Sequence, residues 1–193
     1  TDKGVHAMGQ VANFRSPTEM DLGNLPRVIN MHLPEDVQVM RVEEVEGDFH
    51  SRFSAKGKWY RYLIDNHRIP NPIYRNQMGH THFKLDVERM REACQCLIGE
   101  QDFHTFMGRK ANVHHTIRRI DEIEIHEEIG IVTMDFKGKS FLKHQIRIIV
   151  GTAMQIGRGK LPVGFMEQAL KEMRRGCAGP TAPAQGLYLM EIY

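Results

Sequence analysis

Three side chains far apart in the sequence, Asp2, Tyr60 and Arg147, together carry the parts of a reaction on a nucleobase. A carboxylate beside a guanidinium keeps its charge through Coulombic and bidentate hydrogen-bond stabilisation, and it can then attack carbon or remove a proton. Tyr60 offers a flat ring for a base to stack on, with a hydroxyl at its rim. One aspartate, one arginine and one stacking aromatic suit chemistry on an extruded nucleobase. Each residue also has a plainer reading: Asp2 as a solvated carboxylate or a turn cap, Tyr60 as ordinary strand packing, Arg147 as the partner of an acidic side chain on a helix surface. Residue types alone leave these alternatives open.

The surroundings of Tyr60 point to RNA. Lys56, Lys58 and Arg61 interleave with Trp59, Tyr60 and Tyr62, so phosphate pairing and aromatic stacking are supplied together. Arg109, Lys110, Arg118 and Arg119, with His114 and His115 between them, extend the positive surface. The chain's 193 residues hold 26 Lys and Arg against 24 Asp and Glu, a net charge of only +2, so it is the distribution of charge that carries this argument. The three cysteines, Cys94, Cys96 and Cys177, form no metal-knuckle pattern and read as a reducing, cytoplasmic setting. His114, His115 and His144 read as surface or groove residues rather than zinc ligands. No apolar run approaches the roughly 18 residues that span a membrane, and no glycine-rich phosphate loop is present.

The elements that must position these groups follow from periodicity. Alternation predicts a strand from Ala7 to Phe14, and a turn at Pro34, Glu35 and Asp36 leading into a second strand with Val37, Val39 and Arg41 on one phase. Between them, "LGNLPRVIN" is too short and too rich in Gly, Asn and Pro for a long helix. "KWYRYLI" alternates Trp59, Arg61 and Leu63 against Tyr60, Tyr62 and Ile64, a strand with one packed face. Asp86 caps a helix from Val87 to about Ile98, stopped by Gly99. "RRIDEIEIHEE" and "GIVTMDFKG" form a hairpin joined through Glu127 to Gly130, with Ile123, Ile125, Val132, Met134 and Phe136 inward. A helix capped by Ser140 is expected next, placing Phe141, Ile149, Val150 and Met154 along one side and Lys143 with Arg147 as a basic pair one turn apart. Pro162 begins a further helix that ends at Gly176, and "GLYLMEIY" is a strand. Helices interspersed with mostly antiparallel strands make an α+β chain.

The stretches "TDKGVHAMGQVANF", "LPEDVQV", "FHSRFSAKGKWYRYLI", "DFHTFMG", "FLKHQIRIIVG" and "APAQGLYL" resemble, in order and across essentially the whole chain, the tRNA pseudouridine synthase A family. The resemblance implies two α/β halves with antiparallel sheets flanking a catalytic cleft. Residues 1–50 would be the remainder of an N-terminal half and 51–193 the C-terminal half. It implies an isomerase that converts uridine to pseudouridine at positions 38, 39 and 40 of the tRNA anticodon stem-loop, as a homodimer, with tRNA as partner, no DNA, no membrane, and no metal or organic cofactor. Asp2 matches the catalytic aspartate, Arg147 the arginine paired with it, and Tyr60 the base-stacking tyrosine. Leu187 resembles an apolar contact near the base, and Lys58, Arg61, Arg118 and Arg119 are expected on the RNA side. The family carries an Arg immediately before the Thr and an N-terminal strand segment before that. Here the sequence opens at Thr1, so the N-terminal half is expected to be incomplete, and Lys3 stands where a small residue is common. The alternative is a catalytically inactive RNA-binding module.

Overall fold

The computed structural model describes residues 1–109, 113 and 115–193. They divide into two compact units, Thr1–Gln10 with Ala55–Tyr193, and Val11–Ser54. The expected α+β class is found: the first unit holds a seven-stranded, largely antiparallel sheet with helices packed on it. Its strands are β1 (His6–Ala7), β2 (Lys58–Asp65), β3 (Gly79–His80), β4 (Gly99–Asp102), β5 (Ile117–Glu128), β6 (Ile131–Gly138) and β7 (Leu187–Ile192). They run in the order β1-β7-β2-β6-β5-β4, with β3 also on β2.

The alternation in "KWYRYLI" is realised in register. Tyr60, Tyr62 and Ile64 lie opposite Phe136, Met134 and Val132, and their common face is buried, whereas Arg61 lies opposite Asp135 on the other face. Burying a large apolar side chain contributes roughly 1.5–3 kcal/mol, so this row is the backbone of the core. The hairpin forms as the pattern requires, but the strands continue to Glu128 and Ile131, leaving only Ile129 and Gly130 as the turn. Both have positive φ, 48° and 71°, the conformation of a two-residue turn that matches strand twist.

On the buried face lie α2 (Val87–Cys94), α3 (Gln145–Gly157) and α4 (Phe165–Glu172), all after α1 (Leu25–Asn30) in sequence. The Asp86 side chain accepts the Arg89 N–H at 3.1 Å, as a capping residue should, and Val87, Met90, Cys94 and Leu97 are buried. Cys94 is a core residue whose thiol burial pushes up to about 12. The next helix begins later than expected. Ser140 is not its cap; His144 is, in a left-handed conformation with φ 59°, and Lys143 therefore lies before the helix rather than one turn from Arg147 on it. The fourth helix likewise starts at Phe165 and ends at Glu172, because Met173 adopts φ 49°.

The second unit contains α1, as short as its Gly, Asn and Pro content implied. The strands expected at Ala7 to Phe14 and after Asp36 are not formed beyond His6–Ala7. A strand needs a neighbour for its N–H and C=O groups, and alternation alone does not supply one. The Val39 backbone is instead held by the Asn30 side chain, at 2.7 and 3.0 Å. Among the described residues no helix is long and apolar enough to cross a membrane.

Candidate active site

Asp2 opens a tight turn. The Val5 N–H donates to the Asp2 carbonyl at 3.1 Å, and Gly4, with φ 80°, takes the left-handed position that such a turn reserves for glycine. A Cβ at Gly4 would lie 3.3 Å from the Cβ of Ala184, so the turn rests on the segment before β7. Its exit is fixed by β1, which pairs in parallel with β7 through His6 opposite Tyr188 and Ala7 opposite Leu189. The His6 ring stacks on Tyr188 with centroids 4.6 Å apart, and its Nε2 lies 2.9 Å from the Asn76 carbonyl oxygen. A two-residue strand is thereby enough to hold the carboxylate at the sheet edge.

Tyr60 projects beside it from β2. The β2–β7 register slips between Trp59 and Tyr60, so an irregularity lies at the residue whose aim matters. The ring meets Phe141 edge-on, centroids 5.4 Å apart at 84°. Its hydroxyl is harder to ionise than an ordinary phenol, first because it is buried and second because the Asp2 charge opposes a second anion. Leu187, buried at the start of β7, lies opposite Tyr62 on the same sheet face.

The expected ion pair between Asp2 and Arg147 does not form. The Asp2 Oδ2 lies 3.3 Å from Nε2 of His144, whereas Arg147 Nε donates to the Ala182 carbonyl at 2.8 Å. Arg147 is near Tyr62, whose hydroxyl donates to the Pro183 carbonyl at 2.9 Å. Arg147 and Tyr62 thus hold the segment against which the Asp2 turn rests. Sequence reasoning missed two neighbours here. Phe141 and His144 both stand in "FLKHQIR", the stretch that singled out Arg147, and their place in that stretch was the available signal.

The basic residues divide. Lys58, Gly138 and Ile120 stand side by side across β2, β6 and β5, so Lys58 and the Arg118–Arg119 end of β5 share one end of the sheet. A Cβ on Gly138 would lie 2.6 Å from the Arg119 carbonyl oxygen and 3.3 Å from the Phe141 ring, which places that end close to Phe141. Arg61, expected with them, is turned to the opposite face from Tyr60. It forks onto the buried Asp135 carboxylate at 2.9 and 3.0 Å, and Trp59 Nε1 donates to the same carboxylate at 2.7 Å. Arg119 pairs with Asp121, and Arg118 donates to the backbone carbonyls of His115 and Ile117. Lys110 and His114 lie outside the described residues. Among the described residues no group of three or more His, Cys, Asp or Glu is placed to hold a metal ion. An open concavity of about 750 Å³ within the second unit is lined by Glu44, Glu46 and Asp48, and its charge disfavours phosphate.

A half-exposed carboxylate, a ring beside it, a second ring behind that one and a cationic end of the sheet make a place where a flipped base and its ribose can meet an acid–base group. The chain has close counterparts among known proteins. The family model for tRNA pseudouridine synthase matches residues 93–193. A tRNA pseudouridine synthase A of Limosilactobacillus fermentum is 43% identical over all of this chain and 75% of its own length. Proteins of the same name from Acetivibrio thermocellus and Bacillus licheniformis are 40% and 39% identical, again over all of this chain and over 79% and 78% of theirs.

Proposed function

Because this chain belongs to the tRNA pseudouridine synthase family, we propose that it isomerises uridine to pseudouridine at positions 38, 39 and 40 of the tRNA anticodon stem-loop, with Asp2 as the catalytic group. The observation that carries this reading is the Asp2 carboxylate, half-exposed on a turn pinned to the sheet edge and electrostatically coupled to the half-buried Tyr60 ring.

The reaction breaks the bond between uracil N1 and ribose C1′, turns the base, and joins C5 to C1′. The C5 proton leaves and N1 gains one, so no redox partner is needed. An ionised Asp2 serves it by attack at C1′ or by removing the C2′ proton. The detached uracil must be held while it turns, since its escape would leave an abasic nucleotide. Tyr60, backed by Phe141, is the surface for it, with Leu187 as the apolar contact. Lys58, Arg118 and Arg119 at the same end of the sheet follow the phosphates. Arg61 acts at one remove, by fixing β2 to Asp135. Arg147 shapes the wall around the base through Ala182. The chain works as a homodimer on the anticodon arm, which sedimentation across a concentration series reads as a two-subunit species.

The test is Asp2→Asn, which keeps the side chain's size but not its charge. On tRNA labelled with tritium at uracil C5, the wild type releases tritium and the variant does not, while both retain measurable tRNA affinity. Release by the variant would remove Asp2 from the reaction. Binding without release by either protein would leave an RNA-binding module.

A further inference from the structure

We infer that His144 is a positioning residue for the Asp2 carboxylate, a role the sequence did not assign to it. The inference rests on Asp2 acting as proposed above. The two groups lie at 3.3 Å, and both side chains are about one-third exposed, at 30% and 35%, so the pair sits where substrate arrives rather than in the core. Either as imidazolium or as the Nε2–H form, the ring offers the carboxylate a donor. Arg147, nearly one turn further along α3, spends its Nε on the Ala182 carbonyl.

The local structure is built to aim this ring. His144 caps α3, and its carbonyl accepts the Ile148 N–H at 2.9 Å, while its own φ of 59° turns the side chain out of the helical path. A left-handed conformation is unfavourable for a residue other than glycine, and such strain gathers where geometry serves a site. The approach is held from both sides. The Gln145 side chain accepts the Leu142 N–H at 2.7 Å, and the Gly108 N–H donates to the Lys143 carbonyl at 2.8 Å. Gly108 leaves room for the ring: a Cβ there would lie 2.8 Å from Nδ1 of His144. Any side chain at position 108 would push the imidazole against Asp2 or away from it.

The experiment compares wild type with His144→Ala, His144→Gln and His144→Asn, measuring kcat and KM on tRNA together with tRNA affinity. His144→Ala is expected to lower kcat about a hundredfold, the scale of a misplacement near 1 Å, with KM and affinity within about twofold. Glutamine, whose amide nitrogen reaches about as far as imidazole Nε2, recovers most of the loss. Asparagine, shorter but better suited to a left-handed backbone, does not. The opposite order, Asn better than Gln, would mean that position 144 serves only the backbone and would overturn the assignment, as would wild-type kcat in His144→Ala. Should the Ala variant fail to fold, the Gln and Asn pair carries the same decision. If even the wild type forms no pseudouridine, the functional reading falls by itself. Crystal structures then decide the inference: an Asp2 carboxylate displaced in His144→Ala or His144→Asn upholds it, and an unmoved one overturns it.

Discussion

Arg147 and Ala182 hold each other twice: the guanidinium Nε donates to the Ala182 carbonyl at 2.8 Å, and the Ala182 N–H donates to the Arg147 carbonyl at 2.9 Å. One residue further on, Tyr62 secures the Pro183 carbonyl. The segment leading to β7 is thus fixed by two side chains, and the turn that carries Asp2 leans on it at Ala184.

Removing either hold should cost stability. Arg147→Met takes the side-chain donor from the carbonyl of the buried Ala182, worth about 1–3 kcal/mol, and Tyr62→Phe, acting on the carbonyl of the exposed Pro183, should cost less. Because both act on one short segment, the double variant should lose less than the sum. Denaturant unfolding of the three variants checks this, and strict additivity would mean that the two holds are independent.

Tyr60 should resist ionisation. Its phenol is raised above 10.0 by burial and then by the Asp2 charge. In Asp2→Asn the second cause disappears, so the titration should move down yet stay above the ordinary value, because burial remains. Ultraviolet titration of the single-variant pair reads the difference, and an unchanged Tyr60 would separate the ring from Asp2.

Salt should distinguish the cations. A residue that touches phosphate contributes about one unit to the slope of log affinity against log salt. Arg118→Ala and Arg119→Ala are expected to flatten the slope by about that much each. Arg61→Ala should leave it unchanged and instead lower the melting temperature, since it strips the buried Asp135 of two donors.

Acid should act through Asp65. Its burial opposes ionisation, but hydrogen bonds from the His67 ring and from the His67 and Asn71 N–H groups outweigh that, and its pKa lies below 3.8. The group contributes stability that is complete above the unfolded value of 3.8 and is lost as pH falls through the lower folded value. Stability of Asp65→Asn should therefore fall less steeply than the wild type across that acid range, and parallel curves would remove Asp65 from the acid response.

Periodicity was enough to find β2, the β5–β6 hairpin, α2 and β7, because each has a buried face that repeats at two or at three and four residues. It failed at "GQVANF" and "VQVMRVEEV", which alternate but find no strand to bond in the second unit. It also passed over β4, whose Gly99, Glu100, Gln101 and Asp102 show no apolar alternation and are strand only by pairing with β5. The start of α3 was misplaced because a serine looks like a cap, whereas the left-handed turn at His144 leaves no mark in residue type. The motif around Asp2 was legible at once. Its contact with His144 was not, since side-chain reach across a turn, and not spacing along the chain, brings the two together.

The parallel pairing of β1 with β7 has a consequence for synthesis. His6 leaves the ribosome among the first residues of this sequence, yet its strand neighbour Tyr188 emerges only after α4 and the whole of the hairpin. Until then the Asp2 turn has neither its edge nor the Ala184 surface beneath it. A nascent chain can therefore fold its hairpin and α2 early, from contacts near in sequence, while its carboxylate remains unplaced. The place of the carboxylate is in this way settled only when the last strand has joined the sheet.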